Sequence, residues 1–251
     1  MIAGAVGMAK RGWTVYASTF AAFHARSYDF VRMAAISRAN VRLCGSHAGV
    51  EIGEDGPSQM GLEDLALYRA VHGSTVLYPC DANQTAALVA AMADLDGISY
   101  IRTTRGNTPV INDADEQFPV GGSKVLRSSS DDVITVVAAG VTVHEVLAAA
   151  DQLADDGINV RVVDAYSVKP VDVDTLRTVA RETRGMVTVE DHRPQGGLGE
   201  AVMAALADTK ARPRIVQCAV REMPGSATPA EQVHAQGLDA EGVVAAVRRL
   251  L

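Results

Sequence analysis

From Gly45 to Ala70 the sequence reads GSHAGVEIGEDGPSQMGLEDLALYRA, and this run concentrates the residues best suited to chemistry. Glycine at this density lets a backbone approach a ligand closely and adopt positive φ. His47 can exchange a proton, or donate and accept hydrogen bonds, near neutral pH. Asp55 can accept a hydrogen bond from a ligand hydroxyl while ionised. The polar, Pro57-containing stretch reads as a loop, and loops carried on a rigid scaffold are where chemistry tends to sit. The competing reading is a tight turn whose polar groups cap the next helix, with His47 an ordinary structural histidine.

A second glycine-rich run, EDHRPQGGLGEAV from Glu190 to Val202, lies between an expected strand and an expected helix. Dinucleotide sites share that placement, but GGLGEA is not the GxGxxG spacing, so the signal for NAD or FAD is weak. Asp191 and His192 read as structural. Glu51, Glu54 and Glu63 read as solvated, helix-dipole or interface carboxylates. Cys44, Cys80 and Cys218 are far apart and form no CxxC pair, which argues against a disulfide framework or a zinc site. No metal ligands are assigned, and a reducing, cytoplasmic setting is expected.

The elements that must position these residues alternate strand and helix, the pattern of an open α/β sheet. A helix is expected over Ile2–Ala9, a strand over 13–18, one long helix over 19–37, and a strand over 41–45. Further helices are expected after Leu62 and Asp81, with strands over 74–79 and 97–104. The Pro-, Gly- and Asp-rich stretch 108–130 reads as a linker with a short hairpin, after which the alternation resumes. Two α/β domains follow, over 1–115 and 122–251, joined by 116–121. The chain has 251 residues, 48% of them apolar, so it can bury a sizeable core. Its net charge of -7 argues against nucleic-acid binding, although individual arginines can still hold a phosphorylated metabolite. No run reaches the roughly 20 apolar residues of a membrane span.

Five segments, in order, resemble transketolases: ASTFAAFHARSYDFVRMAAIS, SHAGVEIGEDGPSQMGLEDLALYR, YIRTTRGNTPV, VVDAYSVKPVD and VEDHRPQGGLGEAV. The resemblance implies a pyrimidine-binding thiamin-diphosphate fold followed by a transketolase C-terminal-like domain. It also implies thiamine diphosphate with Mg2+ (or Ca2+), and transfer of a two-carbon ketol unit from a ketose phosphate to an aldose phosphate. The electron sink for that chemistry belongs to the cofactor. By the same resemblance Phe20 and Phe23 surround the aminopyrimidine, with Phe20 the stacking ring; spacing alone would make both core residues. His47 is implied in sugar binding and proton traffic, Asp55 and Gln59 in reading hydroxyls, and Arg105 in binding the substrate phosphate. Arg102 reads as an ordinary surface charge.

The resemblance further places the diphosphate- and metal-binding domain outside this sequence, together with an activating glutamate just before the position of Met1. An N-terminal diphosphate-binding subunit is therefore the expected partner, in a dimer or an α2β2 split enzyme. Other thiamine enzymes share the domain plan, namely deoxyxylulose-phosphate synthases and 2-oxoacid dehydrogenase β subunits. The uninterrupted GVEIGEDGPSQMGLED favours transketolase over both. A non-catalytic regulatory module is the remaining alternative.

Overall fold

The computed structural model describes residues 1–251. Its first half runs α1 (Ile2–Ala9), β1 (Val15–Phe20), α2 (Tyr28–Ile36), β2 (Val41–Ser46), α3 (Asp64–Ala70), β3 (Thr75–Leu77), α4 (Ala82–Met92) and β4 (Ile98–Arg102). The second half runs β5 (Lys124–Arg127), β6 (Ile134–Ala138), α5 (Thr142–Asp155), β7 (Val160–Asp164), β8 (Ser167–Lys169) and α6 (Val173–Glu182). It ends with β9 (Gly185–Val189), α7 (Leu198–Leu206), β10 (Arg214–Cys218), α8 (Pro229–Ala235) and α9 (Ala240–Arg248). No helix is long and apolar enough to cross a membrane.

Two five-stranded sheets result, ordered β1-β2-β4-β3-β8 and β10-β9-β6-β7-β5. Strands β1 to β4 pair in parallel, as do β6, β7, β9 and β10. Central strands β4, β6 and β9 are buried at every position, as expected where helices cover both faces of a parallel sheet. The edges depart from the sequence reading. Residues 124–127, expected to lie in the linker region, form β5 and pair antiparallel with β7. The short strand β8 leaves the second half and pairs antiparallel with β3 of the first sheet. The two halves therefore share a sheet. They also share a core: one cluster of 29 buried residues includes Leu43, Tyr68 and Tyr100 together with Val163, Met186 and Val202.

The single helix expected over 19–37 is instead a 3-10 turn, Ala21–Ser27, followed by α2. The tighter turn buries His24, whose Nδ1 meets the Tyr68 hydroxyl at 2.6 Å and whose Nε2 lies 3.0 Å from the Cys44 carbonyl. Burial pulls the His24 pKa down, so this histidine is a neutral strut between α3 and β2. Phe20, the extended last residue of β1, and Phe23 in the turn lie nearly parallel, 6° between planes with centroids 5.4 Å apart.

Candidate active site at the carboxyl ends of the first sheet

Ligands of open α/β sheets bind at the carboxyl ends of the strands. There β1 ends in Phe20, β2 ends in Ser46 just before His47, and β4 leads into Arg105. The His47 imidazole stacks on Phe20 with centroids 3.9 Å apart and 13° between planes. Its Nδ1 is 3.0 Å from Ser46 Oγ, which leaves Nε2 for a ligand. His47 is half-buried and sits at φ 56°, a left-handed conformation uncommon outside glycine and worth noting wherever it occurs. The strand ends hold it there: Ala48 N donates to Thr103 O at 3.1 Å, and Thr103 N donates to Gly45 O at 2.9 Å.

The loop beyond His47 is ordered by the second half of the chain. Residues Val50–Asp55 form a short 3-10 segment broken at Gly53, whose φ is 70°. A side chain at Gly53 would meet Pro229 Cδ at 2.8 Å. At Gly49, with φ 81°, it would meet Asp191 Oδ2 at 1.7 Å. The glycine density thus serves close packing against the second half as well as open backbone. Asp55 is exposed and Gln59 is half-buried at the loop's outer side. Arg105 is partly exposed, its Nη1 donating to Ile52 O at 2.9 Å and lying 3.5 Å from Glu54 Oε2. The structure therefore sets Phe23 and His47 each nearly parallel to Phe20 and fastens Arg105 to the loop that carries His47 and Asp55.

Arg102 corrects the surface reading, because it is fully buried. Its Nε donates to Asp64 Oδ2 at 3.0 Å and its Nη1 to Asp191 Oδ1 at 2.6 Å. Its Nη2 donates to Gly61 O at 2.8 Å and to Asp191 O at 3.1 Å. Tyr100 and Tyr78 add hydroxyl donors to Asp64 at 2.6 Å and to Asp191 at 3.0 Å. Burial opposes the charge on Arg102, but Asp191 and Asp64 outweigh it and hold the guanidinium further into its charged form. Charged residues are almost never fully buried unless paired. An arginine closing the largely apolar strand ISYIR was the available signal, and it pointed to a buried partner.

The second glycine-rich run is closed to a nucleotide. Glu190 accepts from the backbone N–H of Leu198 at 2.5 Å and of Gly199 at 3.0 Å, and from Gln217 Nε2 at 2.9 Å. Its carboxylate occupies the α7 N-terminus, where a diphosphate would bind in a dinucleotide fold. His192 is buried, and desolvation pushes its pKa down to about 4. Asp191 and His192 are both buried, Asp191 against Arg102 and Tyr78, and His192 with its Nε2 3.4 Å from Ala66 N. His234, Asp239 and Glu241 cluster at the start of α9. There Asp239 accepts from Gly242 N at 2.9 Å and lies 2.6 Å from His234 Nδ1, an ordinary helix cap. The three cysteines are free.

Residues 1–110 match the family described as "Transketolase, pyrimidine binding domain", and residues 122–243 match "Transketolase, C-terminal domain". Human transketolase is 48% identical over 253 residues, covering 100% of this chain and 40% of that protein. Bovine transketolase-like protein 1 is also 48% identical, over 255 residues and 42% of its length. The chain thus spans about two fifths of these curated relatives. A solved structure described as "Split gene transketolase, inactive beta4 tetramer" superposes with TM-score 0.90 at 36% identity, covering 99% of this chain and 79% of that one. Transketolase from Campylobacter jejuni, at 18% identity and TM-score 0.77, shares the fold. With both domain families matched in order, and with such relatives, the chain belongs to the transketolase family and carries its pyrimidine-binding and C-terminal domains.

Proposed function

We propose that this chain supplies the aminopyrimidine and sugar side of a thiamine-diphosphate transketolase, with the diphosphate and Mg2+ held by a diphosphate-binding region elsewhere. That region is either a second subunit or another part of a longer polypeptide. The observation that carries the reading is the His47–Phe20 stack at the rim of the glycine loop. A flat aminopyrimidine suits the parallel rings of Phe20 and Phe23, the latter 37% exposed. When bound, the cofactor supplies the electron sink that ketol transfer needs.

The chain's own residues do the rest. His47, with Nδ1 held by Ser46, presents Nε2 to a sugar hydroxyl or phosphate and exchanges a proton there. Asp55 and Gln59 read hydroxyls, so that a sugar lacking the matching group leaves a polar partner unsatisfied. Arg105 offers a planar fork to the substrate phosphate. Trp13, Tyr16, Phe30, Met33 and Ile36 are exposed around β1 and α2. Single exposed apolar residues are unremarkable, but a run of them in neighbouring elements suits an interface with the diphosphate-binding subunit or a second copy.

Native mass spectrometry with thiamine diphosphate and Mg2+ tests the assembly. The reading expects the cofactor to be retained when the diphosphate-binding region is present and lost when this chain is alone. Equal retention by the diphosphate-binding region without this chain would overturn it.

A further inference from the structure

We infer that Arg102 is a positioning residue for His47, acting through Gly61 and Asp191 at the base of the sugar loop. This rests on the functional reading above, because it concerns the same site. Arg102 touches none of the reacting groups. It lies at the end of β4, and its guanidinium spends one nitrogen on Asp64 at the start of α3, one on the Asp191 carboxylate, and one on two carbonyls. Its plane also lies against the Tyr78 ring, 4.5 Å from the centroid.

Two of those partners define where His47 can be. Gly61 O accepts from Arg102 and also from Gly49 N at 2.9 Å, and Gly61 forms a parallel bridge with Ala48. The first residues after His47 are therefore tied to the far end of their own loop by the carbonyl that Arg102 holds. Gly61 also packs against the turn after Phe20, since a side chain there would meet Ala21 Cβ at 2.5 Å. Asp191 closes the other side, its Oδ2 lying where a side chain on Gly49 would be. Arg102 thus locks both ends of the loop to the base of the Phe20 turn and to the second half of the chain. Phe20 and His47 are the two rings that this lock brings face to face.

The fork geometry is what makes arginine necessary. A lysine keeps the charge but cannot reach Asp64, Asp191 and two carbonyls together. With the loop base loosened, the left-handed His47 backbone has less to hold it. A misplacement of about 1 Å at a positioning site can cost a rate factor of about a hundred.

The test compares wild type with Arg102→Lys, in the presence of the diphosphate-binding region. One readout is ketol transfer and the other is the NMR signal of the His47 ring protons, which the Phe20 ring current displaces. Arg102→Lys is expected to raise KM for the aldose phosphate and to lower kcat, together by up to about a hundredfold in kcat/KM, and to move the His47 signals toward the values of a free histidine. Unchanged KM and His47 signals beside a lowered Tm would make Arg102 a structural residue only and overturn the inference. If Arg102→Lys fails to fold, Asp191→Asn keeps the side-chain shape and weakens the same clamp. Displaced His47 signals in that variant support the inference, and wild-type signals overturn it. Absence of ketol transfer by the wild type would count against the functional reading alone, because the ring signals still report on the clamp.

Discussion

The imidazole of His47 lies face to face with the ring of Phe20, 3.9 Å between centroids, although 26 residues separate them in sequence. Parallel pairing of β1 with β2 creates the contact, because Phe20 and Ser46 are register partners at the carboxyl ends of their strands. The next residue after Ser46 then turns through a left-handed conformation and folds its ring over Phe20. A loop histidine and a strand-end aromatic become one surface.

Phe20→Ala removes the ring on which both His47 and the aminopyrimidine would rest. An aromatic stack is worth about 0.5–1.5 kcal/mol beyond the area it buries, so cofactor affinity is expected to fall roughly tenfold or somewhat more. Isothermal titration of the assembled enzyme with thiamine diphosphate measures this. Unchanged affinity would place the pyrimidine elsewhere.

Arg105→Lys keeps a charge near the proposed phosphate position and loses the fork. A hydrogen bond to a charged group is worth about 1.5–3 kcal/mol, so KM for the phosphorylated sugar should rise about ten- to a hundredfold, with kcat changing little. Initial-rate kinetics with phosphorylated and unphosphorylated acceptors separate the effect: only the phosphorylated one should lose affinity.

Gly49→Ala introduces both a left-handed alanine and a Cβ on top of Asp191 Oδ2. Strain combined with overpacking at a buried site is expected to cost about 2–4 kcal/mol, measured as a lower midpoint in urea at an unchanged slope. A loss below about 0.5 kcal/mol, the size of an ordinary surface substitution, would mean that the loop does not pack on the second half as described.

Asp164 links the two halves, accepting from Gln84 Nε2 at 2.8 Å while its Oδ1 has no partner. Burial raises its pKa from 3.8 to about 7. The folded chain therefore binds a proton that the unfolded chain releases between those values. Its contribution to stability is fully present below about pH 4 and is lost as pH rises through about 7. Asp164→Asn stays neutral throughout and still offers Gln84 an amide oxygen. The thermal midpoint of the variant relative to wild type should climb between about pH 4 and pH 7 and level off above, whereas a gap independent of pH would contradict the assignment. Glu190, also raised to about 7 by burial, titrates equally in both proteins and cancels.

Much of the scaffold was legible in advance where local pattern and tertiary fate agree. In α5, Val143, Val146, Ala150 and Leu153 recur at helical spacing and are all buried, and Gly157 follows the helix at φ 75°. Strand β8 was not legible, because three residues of SVK carry no local sign that they pair with β3 in the other half of the chain. The same limit hid the break at Ser27: the apolar recurrence of 19–37 fits a helix, and only the long-range bonds of His24 to Tyr68 and Cys44 favour the tighter turn. At the candidate site, His47 and Asp55 stand out from the glycine-rich run itself, whereas Arg105 and the two phenylalanines are proposed through family resemblance, and spacing alone would leave Phe20 in the core. Arg102 was misread because its counterions, Asp64 and Asp191, are 38 and 89 residues away.

The most direct measurement is ketol transfer by this chain combined with a diphosphate-binding transketolase region, thiamine diphosphate and Mg2+, with products identified by mass. The expected products are a ketose phosphate two carbons longer than the aldose acceptor and an aldose phosphate two carbons shorter than the ketose donor, formed only when both components are present and sharply reduced with Phe20→Ala. A 2-oxoacid decarboxylated in its place, or no turnover from a mixture shown to hold the cofactor, would contradict it.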